Sequence, residues 1–200
     1  MLIVMVGVHQ VQSRTKTQNK YMVQSVTIEN VTMCNTDLKP IDPDVIKVQQ
    51  ITNWDLETAT YFVNEANTRN VSVFEEALPI ASIESGGTYS FNAVHKNSNG
   101  TIDKGLFQIN DVTYLGIVKQ LKAEGREFNS WDRSDPEFNI AAGVFWISFL
   151  KGNYQLEGHR LFTSYNRGVC GARQYASRCG TYETKYSREV NAIKNDLLKR

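Results

Sequence analysis

The 200-residue sequence predicts a mainly α fold, with a helical core and a small irregular or β-containing loop region at a cleft. Three observations carry that prediction. Apolar residues recur at three- and four-residue spacing in several separate stretches, and capping residues, Pro and Gly mark the ends of those stretches. A long internal segment, which follows Glu84 and is rich in Gly, Asn, Ser and Thr, breaks the helical pattern. A hydrophobic content of 41% supplies a core for one domain of ordinary size, so residues 1–50 read as an N-terminal extension and residues 51–200 as the domain.

Met1 to Val8 is wholly apolar but eight residues long, below the ~20 that a spanning helix requires. It lacks a basic lead and a small-x-small cleavage site. A truncated export signal, a buried strand and export by another route, such as packaging in a virion, all remain open. Gln10 to Lys39 is a polar linker, with Met22, Val26 and Ile28 on one side of a short period-2 passage that suggests one strand. Asp42 as cap and Pro43 at the first position open a helix through Val45, Ile46 and Val48.

Leu56, Ala59, Phe62, Val63 and Ala66 form one face of a helix over Asn53 to Ala66. Ser72 and Glu75 fit a capping box for the helix that carries Glu84, and Pro79 requires a kink there or a start near Leu78. Asp111 caps a helix through Leu115, Ile117, Val118 and Leu121 that Gly125 ends. Ser134 and Glu137, with Pro136, open an apolar helix containing Phe138, Ala141, Ala142, Phe145 and Phe149, which Lys151 and Gly152 close. Tyr186, Val190, Ile193 and Leu197 mark a last helix ending in Lys199 and Arg200, charges that suit a helix C-terminus. The total is six to eight helices and little sheet.

The net charge of +1 gives no reason to expect nucleic acid as a partner. His9, His95 and His159 lie far apart without companions at ligand spacing, so no metal and no cofactor are expected. Cys170 and Cys179 stand nine apart in a loop-like segment, where they either close a small ring or remain free thiols; Cys34 is unpaired in both cases.

The chemistry concentrates between Ala77 and Asn110. An apolar run ends at Glu84, Ser85, Gly86 and Gly87, which puts one carboxyl where core meets cleft. Apolar surroundings disfavour the charged form and keep such a group protonated near neutral pH as a general acid, as glycosidic bond cleavage requires. Further on, Gln108 and Asn110 alternate with Phe107 and Ile109, so an extended segment would turn both amides to one side as a cleft wall.

Four short motifs in order, ESG at Glu84, GLFQIN at Gly105, NIAAG at Asn139 and SYNRG at Ser164, resemble the lytic transglycosylases of the lysozyme-like superfamily, from about Ser72 to Gly168. The soluble lytic transglycosylase type, including phage members and those of conjugation and secretion, is the nearest in pattern. The resemblance implies a lysozyme-like α+β fold and cleavage of peptidoglycan between muramic acid and glucosamine units. Glu84 would be sole acid and then base on the C6 hydroxyl, giving 1,6-anhydro ends. Ser85, Gln108, Asn110, Tyr165 and Asn166 fall on or beside glycan-binding positions. Ser85 also reads as a helix-ending residue, Asn110 as a helix cap, and Tyr165 as a packing residue.

Asp103 falls on the second carboxylate of animal-type lysozymes, which would suit a muramidase; it also reads as a turn residue bonding its own backbone. Ser164 and Arg167 depart from the family's AYN-x-G. The loop after the acid is longer than usual, and Ser98 is the candidate for the serine found there. Arg173, Arg178, Lys185 and Arg188 cluster beyond Gly168 and read as a solvated basic face or a contact for anionic wall polymers. The alternatives are a lytic transglycosylase, a muramidase, and a non-catalytic glycan-binding or virion structural protein. The expected setting is extracytoplasmic, at the cell wall, with no stable membrane span and a virion, secretion or conjugation assembly as partner.

Overall fold

The computed structural model describes residues 40–199, so the readings of Met1 to Val8, of the strand near Met22 to Ile28 and of Cys34 fall outside the described residues. Seven α-helices and one small sheet follow in order: α1 Pro43–Thr52, α2 Leu56–Thr68, a π-helical turn Val73–Ala77 running into α3 Leu78–Glu84, β1 Val94–Lys96, β2 Ile102–Lys104, β3 Ile109–Asn110, α4 Asp111–Ala123, α5 Pro136–Tyr154, α6 Gly158–Cys179 and α7 Lys185–Lys199. This is the mainly helical, lysozyme-like α+β arrangement that the sequence predicts. The sheet is antiparallel in the order β1-β2-β3, with His95 opposite Asp103 and Asp103 opposite Asn110. Among the described residues no helix is long and apolar enough to cross a membrane.

Helix α5 is the centre of the molecule. Ten of its residues, from Phe138 to Leu150, are buried around its whole circumference, as expected of a helix that is apolar on all sides. The rings of Phe62 on α2 and Phe107 stack with centroids 6.3 Å apart. The boundary expected after residue 50 falls inside α1, whose Val45 and Val48 belong to this same core.

Several helix ends differ from expectation, each for a local reason. Asp42 caps α1 as expected, accepting from Asp44 N. The Ser72 hydroxyl accepts from Glu75 N, but the reciprocal bond from Ser72 N goes to Glu76, because Glu75 instead pairs with Lys194 on α7. Asn110 rather than Asp111 caps α4, and Asp135 rather than Ser134 caps α5. Helix α5 continues past Lys151 and Gly152 to Tyr154, ending at left-handed Gln155. The segment around Cys170 and Cys179 is helical, not a loop. Both thiols are free and exposed on α6, and nine residues of helix separate them by about 13 Å, beyond the reach of a disulfide.

The sheet is fixed to the core by two side chains. Asn139, fully buried on α5, accepts from Phe107 N at 3.0 Å and donates to Arg133 O at 2.6 Å and Lys104 O at 3.2 Å. Arg133 donates to the carbonyls of Ile102 and Ile109 at 2.8 and 2.7 Å and also to Asp111. One turn beyond Asn139, Gly143 leaves room for the Phe107 ring, which any Cβ there would overlap.

Filling that space should cost stability. Gly143→Ala is expected to lower unfolding free energy by about 1–3 kcal/mol through overpacking. Gly116→Ala, in exposed α4 with no neighbour within 4 Å, should raise it by about 0.5–1 kcal/mol. Urea midpoints at unchanged slope measure both.

Candidate active site

The site begins with the helix that delivers Glu84. In the π-helical turn, Ala77 N bonds Ser72 O and Leu78 N bonds Val73 O, five residues back. Pro79, which has no N–H to donate, then occupies the first turn of α3. The expected kink is therefore a change of helix pitch, and α3 starts at Leu78. Leu78, Pro79, Ile80 and Ala81 are buried, which drives the helix into the core and leaves Glu84 at its last position. Gly86 and Gly87 then turn the chain away with positive φ, Gly87 N bonding Ser82 O at 2.7 Å.

The Glu84 carboxyl is largely enclosed by protein, and the residue retains some surface toward the cleft. Burial raises its pKa from an ordinary 4.5 to about 7. The hydrogen bond from Tyr186 Oη on α7, 2.6 Å from Glu84 Oε1, opposes that rise, and the negative charge of Asp103 adds to it. Tyr165 donates to Phe107 O at 2.9 Å. Burial, then the Glu84 charge, push the pKa of both tyrosines well up, so they remain neutral phenols.

One wall of the cleft is the sheet with its β1–β2 turn. Asp103 Oδ2 accepts from Asn97 Nδ2 at 2.9 Å, and Oδ1 accepts from Asn110 Nδ2. Both amides also donate to Thr101 Oγ1, each at 3.1 Å. Gln108 is left-handed at φ 47° and lies in a turn rather than the extended segment expected, yet Phe107 and Ile109 are buried and Gln108 faces the cleft. Its Nε2 donates to the carbonyls of Ala93 and Gly105. Another part of the lining comes from α6, around Tyr165, Asn166 and Gly168. Gly168 has φ 70° and ψ 159° inside that helix, a conformation open essentially to glycine alone, and it breaks α6 just beyond the Tyr165–Asn166 pair.

The cleft encloses about 440 Å³, within the range of small-ligand sites. Glu84, Asp103, Gln108, Asn110, Tyr165 and Asn166 all line it, and so does Ser98 in the β1–β2 turn. Ser85 does not join them. Its buried hydroxyl accepts from Tyr89 N at 2.9 Å and points to Ser82 O, which staples the turn after α3. Asn110 also caps α4 through Val112 N. The amide of Asn166 bonds no described residue and is exposed.

Several residues at the site, Tyr186, Asn97 and Trp146 among them, are given no role by the sequence alone. Tyr186 read as part of an apolar helix face, and its hydroxyl reaches Glu84 across 102 positions of sequence. Asn97 was one of several polar loop residues. Trp146 stands within the uniformly apolar α5, where periodicity cannot single out a cleft-facing position.

Raising a carboxyl's folded pKa above its unfolded value contributes stability below the unfolded pKa that is lost as pH rises through the folded one. For Glu84 that window runs from 4.5 to about 7. Glu84→Gln is therefore expected to be nearly neutral at pH 4 and stabilising at pH 8, by roughly 3 kcal/mol at most. Thermal melts of both proteins across that range check the sign.

No curated protein matches the chain. The transglycosylase SLT domain family matches residues 61–187, a span that runs from α2 to the start of α7 and holds every cleft residue described above. The chain belongs to the transglycosylase SLT domain family, the peptidoglycan lytic transglycosylases of the lysozyme-like superfamily.

Proposed function

We propose that this protein cleaves the β-1,4 bond between N-acetylmuramic acid and N-acetylglucosamine in peptidoglycan, with Glu84 as the single acid and base. The protonated Glu84 carboxyl gives its proton to the glycosidic oxygen as the bond to the muramic C1 breaks. The resulting carboxylate takes the proton of the C6 hydroxyl, whose oxygen bonds to C1. A 1,6-anhydro end forms, the acid is regenerated and no water is consumed.

The observation that carries this reading is the unequal surroundings of the two carboxyls in the cleft. Glu84, with a pKa of about 7, is poised to give and take a proton near neutral pH. Its Tyr186 hydrogen bond favours the carboxylate left by the first transfer. Both oxygens of Asp103 are engaged by asparagine amides, which suits a carboxylate that holds the wall together. In the second reading, a muramidase, Asp103 assists instead; its place in the same cleft and its electrostatic effect on Glu84 favour that role. The substrate lies outside the cytoplasmic membrane, so the proposal entails an exported or virion-carried enzyme, and a phage, conjugation or secretion setting is proposed with it on the resemblance of its motifs.

Clearing of purified sacculi separates the readings. Glu84→Gln is expected to lower the rate by about 10²–10⁴-fold, the contribution of a general acid. Asp103→Asn keeps one acceptor and loses one of the two amide bonds, so it should retain activity to within about tenfold. An Asp103→Asn loss as deep as that of Glu84→Gln would instead favour the hydrolase.

A further inference from the structure

Trp146 lies on α5 three residues beyond Gly143, on the helix face that meets Phe107. It lines the cleft together with Glu84, Tyr165 and Asp103. Its ring is stacked on the partly buried Phe149, with centroids 5.3 Å apart and planes 11° from parallel, which restricts the orientation of the indole. Most other cleft side chains are amides, hydroxyls and carboxyls, and Trp146 is the largest aromatic side chain among those that line it.

A second observation concerns its donor. Trp54, which packs against Phe62, Tyr89 and Phe91, gives its indole N–H to Tyr89 O at 3.1 Å. The N–H of Trp146 has no partner among the described residues, and no buried side-chain nitrogen or oxygen there lacks one, so this donor is open to solvent on a residue that lines the cleft. A tryptophan stacked on Phe149, with its N–H unmet, offers what an N-acetylated pyranose needs: an apolar surface for the C–H face of the ring and a donor for a hydroxyl or acetamido oxygen.

We infer that Trp146 is the stacking platform for an N-acetylhexosamine of the glycan strand, with its indole N–H donating to that sugar. The inference rests on the proposed reading of the cleft as a glycan site and adds a binding residue to it. The amides of the sheet wall then meet the polar edge of a sugar whose flat side lies on the indole.

The sequence contains three tryptophans, and Trp146 alone lines this cleft; Trp131 packs against Phe128 and Phe138 elsewhere. Indole emission therefore reports on the platform. In the Glu84→Gln protein, titration with chitohexaose, a β-1,4-linked N-acetylglucosamine oligomer, is expected to give a saturable emission change. Calorimetry should show binding about fivefold weaker for Trp146→Phe in that background, because the ring is kept and one hydrogen bond is lost. Trp146→Ala should weaken it by about 30-fold or more. Calorimetric saturation without an emission change, or equal affinity in both variants and their parent, would overturn the inference. An emission response from a protein whose wild type cleaves no sacculi would support the platform while removing the proposed catalytic reading.

Discussion

Withdrawal of one carboxyl from water is the constraint that the rest of this structure serves. On the proposed reading, Glu84 must be enclosed enough for its neutral form to persist near pH 7, yet open to a polymer that cannot enter a closed cavity. The molecule meets both demands by ending a buried helix at a cleft. The apolar residues of α3 anchor the backbone in the core, and the turn through Gly86 and Gly87 carries the chain away before it can cover the acid. Tyr186, arriving from α7, supplies the one hydrogen bond that moderates the cost of ionising the group. Burial and this bond oppose each other, and burial is the larger, so the proton affinity comes to rest near neutrality.

Three of the four short motifs become parts of one mechanical arrangement. Asn139 and Gly143 of NIAAG hold and receive Phe107 of GLFQIN. The carbonyl of that same Phe107 takes the hydroxyl of Tyr165 from SYNRG. The core helix, the sheet wall and the α6 wall thus meet at Phe107. Asp103 serves the sheet wall in a comparable way. Its carboxylate joins Asn97 in one strand connection to Asn110 at the start of α4, so two acids in one cleft are separated in role by their partners.

Much of this was legible in the sequence because it is local. Asp42 and Pro43 begin α1, Glu84 ends an apolar run, and the alternation of Phe107 and Ile109 with Gln108 and Asn110 sorts buried from cleft-facing side chains even though the backbone there is a turn. What was not legible depends on distant partners. Nothing near Tyr186 in sequence indicates that its hydroxyl meets Glu84, and the all-round apolar pattern of α5 conceals which of its residues lines the cleft. Ser85 shows the reverse case: adjacent to the acid in sequence, its hydroxyl turns inward to bond the following turn. The cysteine segment looked like a loop because Gly, Ser and Arg dilute its apolar residues, while the helix there needs only Ala172 in the core.

The account stands most directly on whether water enters the products. Digestion of purified peptidoglycan in ¹⁸O-labelled water, followed by mass spectrometry of the released muropeptides, reads this at the sugar terminus itself. A single carboxyl working as acid and then base predicts 1,6-anhydro-muramic ends with no label. Reducing ends carrying one ¹⁸O would contradict it, and would make Asp103 a partner of Glu84 in hydrolysis.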